Sequence, residues 1–364
     1  MMKKAIVVLM FLSLTLIISC GQRGTNDLEI ARQELQEHAY TKAEIRLEKL
    51  IGRQPQNLEA QCLLATAYNR QNKTQKLESI IGKMRELGKP AIEKAIDIMR
   101  REQNLEEDMS KVLTLIGEPA VDYVIPLLAD NTEYVRENAI MILNNIGSPA
   151  VSHLREGLNS PNVLIRSGSA KILGDIGDKT SIQSLIKELG DPNSLVKVES
   201  AIALYKLGEK SHVKVITEGL NADIVSARRS AAKALQDMVE NPAVDPLLKA
   251  LNDTDTQVRV AVIRTLGKIK ESRVVNPLIE ALKSKDVDVR NASADALKEI
   301  GEPAVIPLVN LVKQEKDIAT LQKAIQTLGD IGDKRAVDVL EKIYAEHNSP
   351  LVKQEAAVAL NKIE

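Results

Sequence analysis

A leucine returns along the chain at Leu143, Leu173, Leu204, Leu235, Leu266, Leu297, Leu328 and Leu360, in steps of 30, 31, 31, 31, 31, 31 and 32 residues. Three residues after each comes Ile146, Ile176, Leu207, Met238, Ile269, Ile300, Ile331 and Ile363. Seven residues before each leucine stands Arg136, Arg166, Lys197, Arg228, Arg259, Arg290, Leu321 and Lys353. Counted from that mostly cationic column at 0, apolar side chains fall at +3/+4 and +7, the 3.6-residue period of an amphipathic helix. A second helical segment precedes each of these. It opens at phrases such as Gly117–Val121, Gly147–Val151 and Gly301–Val305, where Gly ends one helix and Pro enters the first turn of the next. Between the two helices lies a short polar turn opening at Asp130, Ser160, Asp191, Asp253 or Ser284. Ser160-Pro161 and Asp191-Pro192 read as an N-cap followed by Pro at the first helical position.

Small residues occupy fixed columns of the second helix: Ala139, Ala170, Ala201, Ala231, Ala232, Ala294, Ala324 and Ala356. They let helices approach closely, so a core with no Trp and a single Phe can still reach native density. A two-helix unit cannot bury its own apolar stripe, and its neighbours must supply the cover. The predicted fold class is therefore all-α, an αα-superhelix (solenoid) of stacked two-helix repeats. The units resemble HEAT-like repeats of the phycobilisome-lyase type, on Gly-(Asp/Glu)-x-x-Ala-Val, then Leu, Asp/Ser, Val-Arg and Ala-Leu-x-x-Ile. The resemblance covers about 117–364, with a degenerate unit from Gly88, so the array is taken as 88–364. It implies Asp–Arg ladders between turns, for which the candidates are Asp130, Asp191 and Asp253 with Arg136, Lys197 and Arg259. Leu321 interrupts the column.

Residues 28–87 have another spacing. Ala31, Ala43, Pro55, Leu64, Ala65 and Tyr68 resemble tetratricopeptide positions at a 34-residue period, without the usual Trp. Upstream, Lys3 and Lys4 precede an uncharged run from Ala5 to Ile18, too short to span a bilayer and suited to a secretory signal. Ile17-Ile18-Ser19-Cys20 resembles the bacterial lipobox. The resemblance implies a signal peptide over 1–19, a diacylglyceryl group on Cys20, and a tether over 20–27. Gly21 is not the Asp associated with inner-membrane retention, which points to the periplasmic face of the outer membrane in a Gram-negative source. Cys62 is then the one remaining thiol; its apolar surroundings predict a buried small side chain.

Charge and chemistry narrow the function. With 49 Lys and Arg against 50 Asp and Glu, the chain lacks the net basic balance of a nucleic-acid binder. The four histidines, His38, His153, His212 and His347, are scattered and none is followed by Glu. Cys-x-x-Cys, Walker and dinucleotide glycine motifs do not occur. The expectation is no catalytic residue, no metal site, no cofactor, no evident small-molecule substrate, and no enzymatic activity. A lyase-like enzyme of HEAT-like type is the alternative. What remains is a surface for unknown protein partners. Positions +1, +5 and +8 of the second helices are expected to face the concave side. In three consecutive units they carry Val198, Ile202 and Tyr205, then Arg229 and Lys233, then Val260 and Arg264. This apolar strip edged by cations is the candidate binding site, and a membrane-anchored interaction scaffold or assembly factor of the bacterial envelope is the expected function.

Overall fold

The second helices form where the cationic column predicts them. They run over Glu133–Ile146, Val163–Ile176, Ser194–Lys206, Val225–Asp237, Thr256–Ile269, Val287–Ile300, Ile318–Ile331 and Pro350–Ile363. The computed structural model describes residues 26–238 and 244–363; the expected signal segment and Cys20 lie outside them. Every regular element among the described residues is helical, and the fold is an all-α solenoid of stacked two-helix repeats.

Contacts divide the chain into two compact units, one ending at Ser181 and one beginning at Ile182. The boundary expected at 87/88 would fall inside the first. There the helices 26–36, Tyr40–Arg53, Leu58–Arg70 and Thr74–Leu87 pack through Ala31, Ala43, Leu47, Leu63 and Ala65, all fully buried. Cys62 is buried with them, and burial pushes its thiol up to about 12. That value removes the thiolate and with it nucleophilic reactivity at neutral pH. In the second unit a continuous aliphatic core includes Leu204, Leu235, Leu266, Leu297 and Leu328 from the repeating column.

Each repeat is punctuated as the sequence requires, with one refinement. Gly117 and Gly301 close helices at φ +81° and +76°, a conformation that a side chain would strain. The prolines that follow sit in single 3-10 turns, Glu118–Ala120 and Glu302–Ala304, which lead into the first helices. The expected N-caps shift by two residues. Asn162 and Asn193 cap their helices by accepting from the N–H groups of Leu164 and Leu195. Ser160 and Asp191 instead accept from the N–H groups of Asn162 and Asn193, at 3.2 and 2.7 Å, closing the turn before the helix starts.

The ladder is also offset from expectation. Within a repeat, the Nη1 atoms of Arg136, Arg166, Arg228, Arg259 and Arg290 donate to the carbonyl six residues earlier, at 2.7 to 2.9 Å. Lys353 does the same work for its turn through the Ala345 carbonyl at 2.7 Å. The turn carboxylates fold onto their own backbone: Asp130 and Asp253 accept from the N–H groups two residues on. Their second oxygens then face the preceding repeat. Asp130 pairs with Arg100 and Asp253 with Arg228, rather than with Arg136 and Arg259. Arg259 reaches forward to Asp286 at 3.2 Å. Arg228 and Arg259 thus each join their own repeat to the next repeat's turn.

Candidate functional site

In the second unit the helices Val225–Asp237, Thr256–Ile269 and Val287–Ile300 lie side by side and enclose an open groove of about 710 Å³. Helical spacing explains which side chains reach it. Arg229 and Lys233, then Val260 and Arg264, then Asn291 and Asp295 are each four apart and occupy the same face of three successive helices. The opposite faces are core: Ala231, Ala232, Leu235, Val262, Ile263 and Leu266 are fully buried.

The groove is electrically asymmetric. Arg229 and Lys233 stand on one wall, with Asp237 at its end, and Arg264 on the floor beside half-buried Val260, while Asp288 and Asp295 stand on the far wall. Arg229 is committed to Asp255, donating from Nε at 2.9 Å and from Nη2 at 2.5 Å. These bonds hold the Asp255 carboxyl below the usual carboxylate range, and Asp255 also caps the Thr256–Ile269 helix. Ser230 donates to Glu199 at 2.5 Å, so it too is occupied. Lys233 and Arg264 differ: both are exposed, and neither has an acidic partner among the described residues.

Four of the seven predicted strip residues, Arg229, Lys233, Val260 and Arg264, are brought together here. The other three are not. Val198 and Ile202 are only 2% and 8% exposed and belong to the core, which corrects the expectation that they face a partner. For Val198 the reason lies in Gly219. A Cβ there would stand 2.5 Å from a Val198 methyl, so the absent side chain makes the room that Val198 fills. Nine of the thirteen residues of Ser194–Lys206 are buried, and its +1 and +5 positions are no longer a free face. Tyr205 remains half-buried and lies outside the groove, with the Lys210 ammonium 5.9 Å from its ring centre. Asp288 and Asp237 line the groove without having been singled out from the sequence. Asp288 lies two residues before the cationic column, in the first turn of its helix, where a column-based face assignment does not look.

Other polar groups are spoken for by structure. His153 meets Asp122 at 2.6 Å on the surface, and His38 meets the Tyr40 hydroxyl at 2.6 Å. Among the described residues no three of His, Cys, Asp and Glu converge as metal ligands would.

Comparison with known proteins fits this geometry. The sequence matches the description of HEAT repeats over residues 151–236, 244–313 and 304–361, together more than half of the chain. Residues 227–253, which include the groove-lining part of the first of its three helices, also match the phycobilisome-lyase HEAT-like repeat. Comparison with curated proteins gave no match. Among solved structures, the YibA protein of Escherichia coli is similar with 19% identity and a TM-score of 0.50, over 71% of this chain and 96% of that one. An engineered protein is similar with 20% identity and a TM-score of 0.41, over 79% of this chain and 95% of that one. Human deoxyhypusine hydroxylase in complex with glycerol has 19% identity and a TM-score of 0.29, over 71% and 99%. The likeness to YibA speaks for the helical-repeat fold alone.

Proposed function

Because this chain belongs to the HEAT-repeat family, we propose that it is a protein-binding scaffold whose partners dock in the groove of its second unit. The observation that carries this reading is the pair Lys233 and Arg264, exposed beside Val260 and without an acidic partner among the described residues. Unpaired cations flanking a half-buried apolar floor supply charge for orientation and apolar area for affinity. Tyr205 sits beyond the groove as an outlying contact, and Arg229 acts through its fixed pairing with Asp255. Val198 and Ile202 serve from behind, as core that holds the first wall.

The chain is further read as a lipoprotein of the bacterial envelope, exported by its first nineteen residues and anchored through lipid on Cys20. The periplasmic face of the outer membrane is its place in a Gram-negative source. The segment 28–87 is read as a tetratricopeptide-like base. The reading assigns the chain no catalytic residue, cofactor, nucleic-acid or small-molecule substrate.

Lys233→Glu combined with Arg264→Glu is the test. The two side chains hold no structural bond among the described residues, so the helical signal and melting temperature stay unchanged. Copurification of partners with the affinity-tagged, membrane-extracted protein is expected to fall at least tenfold. Each reversed charge at a contact costs on the order of 1 kcal/mol or more. Partners retained in full by the double variant overturn the groove assignment.

A further inference from the structure

The helix Tyr40–Arg53 divides its charges between two sides. Its acids are neutralised on one: buried Glu44 is bound by Lys73 and Lys76, and Glu48 accepts from Lys76 at 3.0 Å and from the Tyr68 hydroxyl at 2.7 Å. Its lysines are left on the other. Lys42 and Lys49 are exposed, and neither ammonium has a partner among the described residues. Between them stands Ile45, 62% exposed, the most exposed large hydrophobic side chain among the described residues. Spacings of three and four residues place Lys42, Ile45, Lys49 and Arg53 on one outward stripe. Arg53 donates to Asp27 at 2.6 Å, and Asn26 and Asp27 line the same hollow as Ile45 and the two lysines. The chain therefore enters the described fold at the basic stripe.

We infer that this stripe is a docking surface for the anionic headgroups of a phospholipid bilayer. The inference rests on the lipid-anchor reading of Cys20. Asn26 lies six positions after Cys20, and even fully extended those six steps span only about 20 Å. A chain anchored at Cys20 thus carries Lys42, Ile45 and Lys49 to the headgroup region. Lysines flanking an exposed aliphatic side chain suit that interface, where the ammonium groups meet phosphate and the apolar tip enters the acyl boundary. The lipid supplies the anchorage. The stripe supplies orientation, by fixing the helix Tyr40–Arg53 against the membrane instead of leaving the fold free on its tether.

The experiment uses the lipidated full chain carrying Ile45→Trp. The sequence contains no other Trp, so its emission reports this position alone. The protein is reconstituted with vesicles of phosphatidylcholine, and separately with equimolar phosphatidylcholine and phosphatidylglycerol. Flotation reads the anchor, while emission wavelength and quenching by brominated lipid read the stripe. The expected result is flotation with both vesicles, and a blue-shifted, quenched Trp with the anionic ones only. Ile318→Trp, in the second unit, should keep its solvent wavelength throughout. Lys42→Glu with Lys49→Glu should abolish the shift without affecting flotation, since each lysine is worth roughly fivefold in partitioning to an anionic surface. Flotation without a shift at Ile45→Trp overturns the docking surface and leaves the anchor standing; it is also the result expected if the stripe serves a protein. An equal shift in phosphatidylcholine alone overturns recognition of headgroup charge. A shift without flotation removes the anchor and keeps the docking surface, and the absence of both removes both.

Discussion

Gly267→Leu should destabilise the second unit by about 3 kcal/mol, the upper end of what overpacking a dense interior costs. The helices Thr256–Ile269 and Val287–Ile300 touch at this point. A Cβ on residue 267 would stand 2.8 Å from both Cα and Cβ of Ala296. The obstructing atoms are backbone and the first side-chain carbon, so no rotamer change relieves the clash. The helices must separate, and the buried faces of Leu266 and Leu297 lose contact together. Gly329 repeats the arrangement two units later, 2.7 Å from Ala359. The control is Gly52→Ala, where nothing lies within 4 Å and the helix gains a better former. Urea unfolding followed by circular dichroism checks the pair. A Gly267→Leu protein as stable as the parent would mean that the helices are further apart than described.

Arg228→Ala should cost about 3 to 5 kcal/mol, the range for breaking a buried ion pair from one side. Arg228 is 13% exposed and Asp253 7%. The guanidinium donates to the Asp253 carboxylate at 2.7 and 3.2 Å and to the Ala222 carbonyl at 2.9 Å. The Asp253 carboxylate beside it holds the Arg228 guanidinium above its ordinary range, favouring the charged form. Truncation leaves a buried carboxylate without its counter-charge and a turn carbonyl without its donor. Arg228→Lys should recover only part of the loss, because one ammonium cannot make the forked contact and reach the turn as well. Arg136→Ala is the comparison. Among the described residues its hydrogen bonds go only to the carbonyls of its own turn, at 2.7 and 3.1 Å, and a loss of about 1 kcal/mol is expected. Equal losses at Arg136 and Arg228 would show that the link to the next repeat contributes nothing.

The contrast between those two arginines also marks what the sequence made legible. The column itself, its period and the helix that it opens follow from spacing, because a 31-residue recurrence and a 3.6-residue stripe are properties of order along the chain. The destination of each side chain is not. Asp253 was expected to meet Arg259 in its own repeat, yet its carboxylate turns back to Arg228 once the Asp255 N–H has taken one oxygen. Competition between a carboxylate's two oxygens is settled in three dimensions. The same applies to the candidate site. Arg229, Lys233, Val260 and Arg264 converge because their helices keep an ordinary amphipathic register. Val198 fails because a glycine in a different helix, Gly219, opens space that a column count cannot register, and Ile202 is buried on the same helix. Asp288 was missed for the opposite reason: it stands outside the columns that were read, in the first turn of its helix. Gly267 carries a related lesson. It occupies the +8 column that Tyr205 also occupies, but its missing side chain makes it a point of helix contact instead of surface.

The reading of this chain as a scaffold turns on whether a protein occupies the groove between the helices Val225–Asp237, Thr256–Ile269 and Val287–Ile300. Site-specific photo-crosslinking in the native cell tests it most directly, with the crosslinker at Lys233 and a control at exposed Lys316 in the same unit. A discrete adduct is expected at Lys233, absent at Lys316 and lost when Arg264→Glu is added. The same adducts at both positions, or none at Lys233, would contradict it.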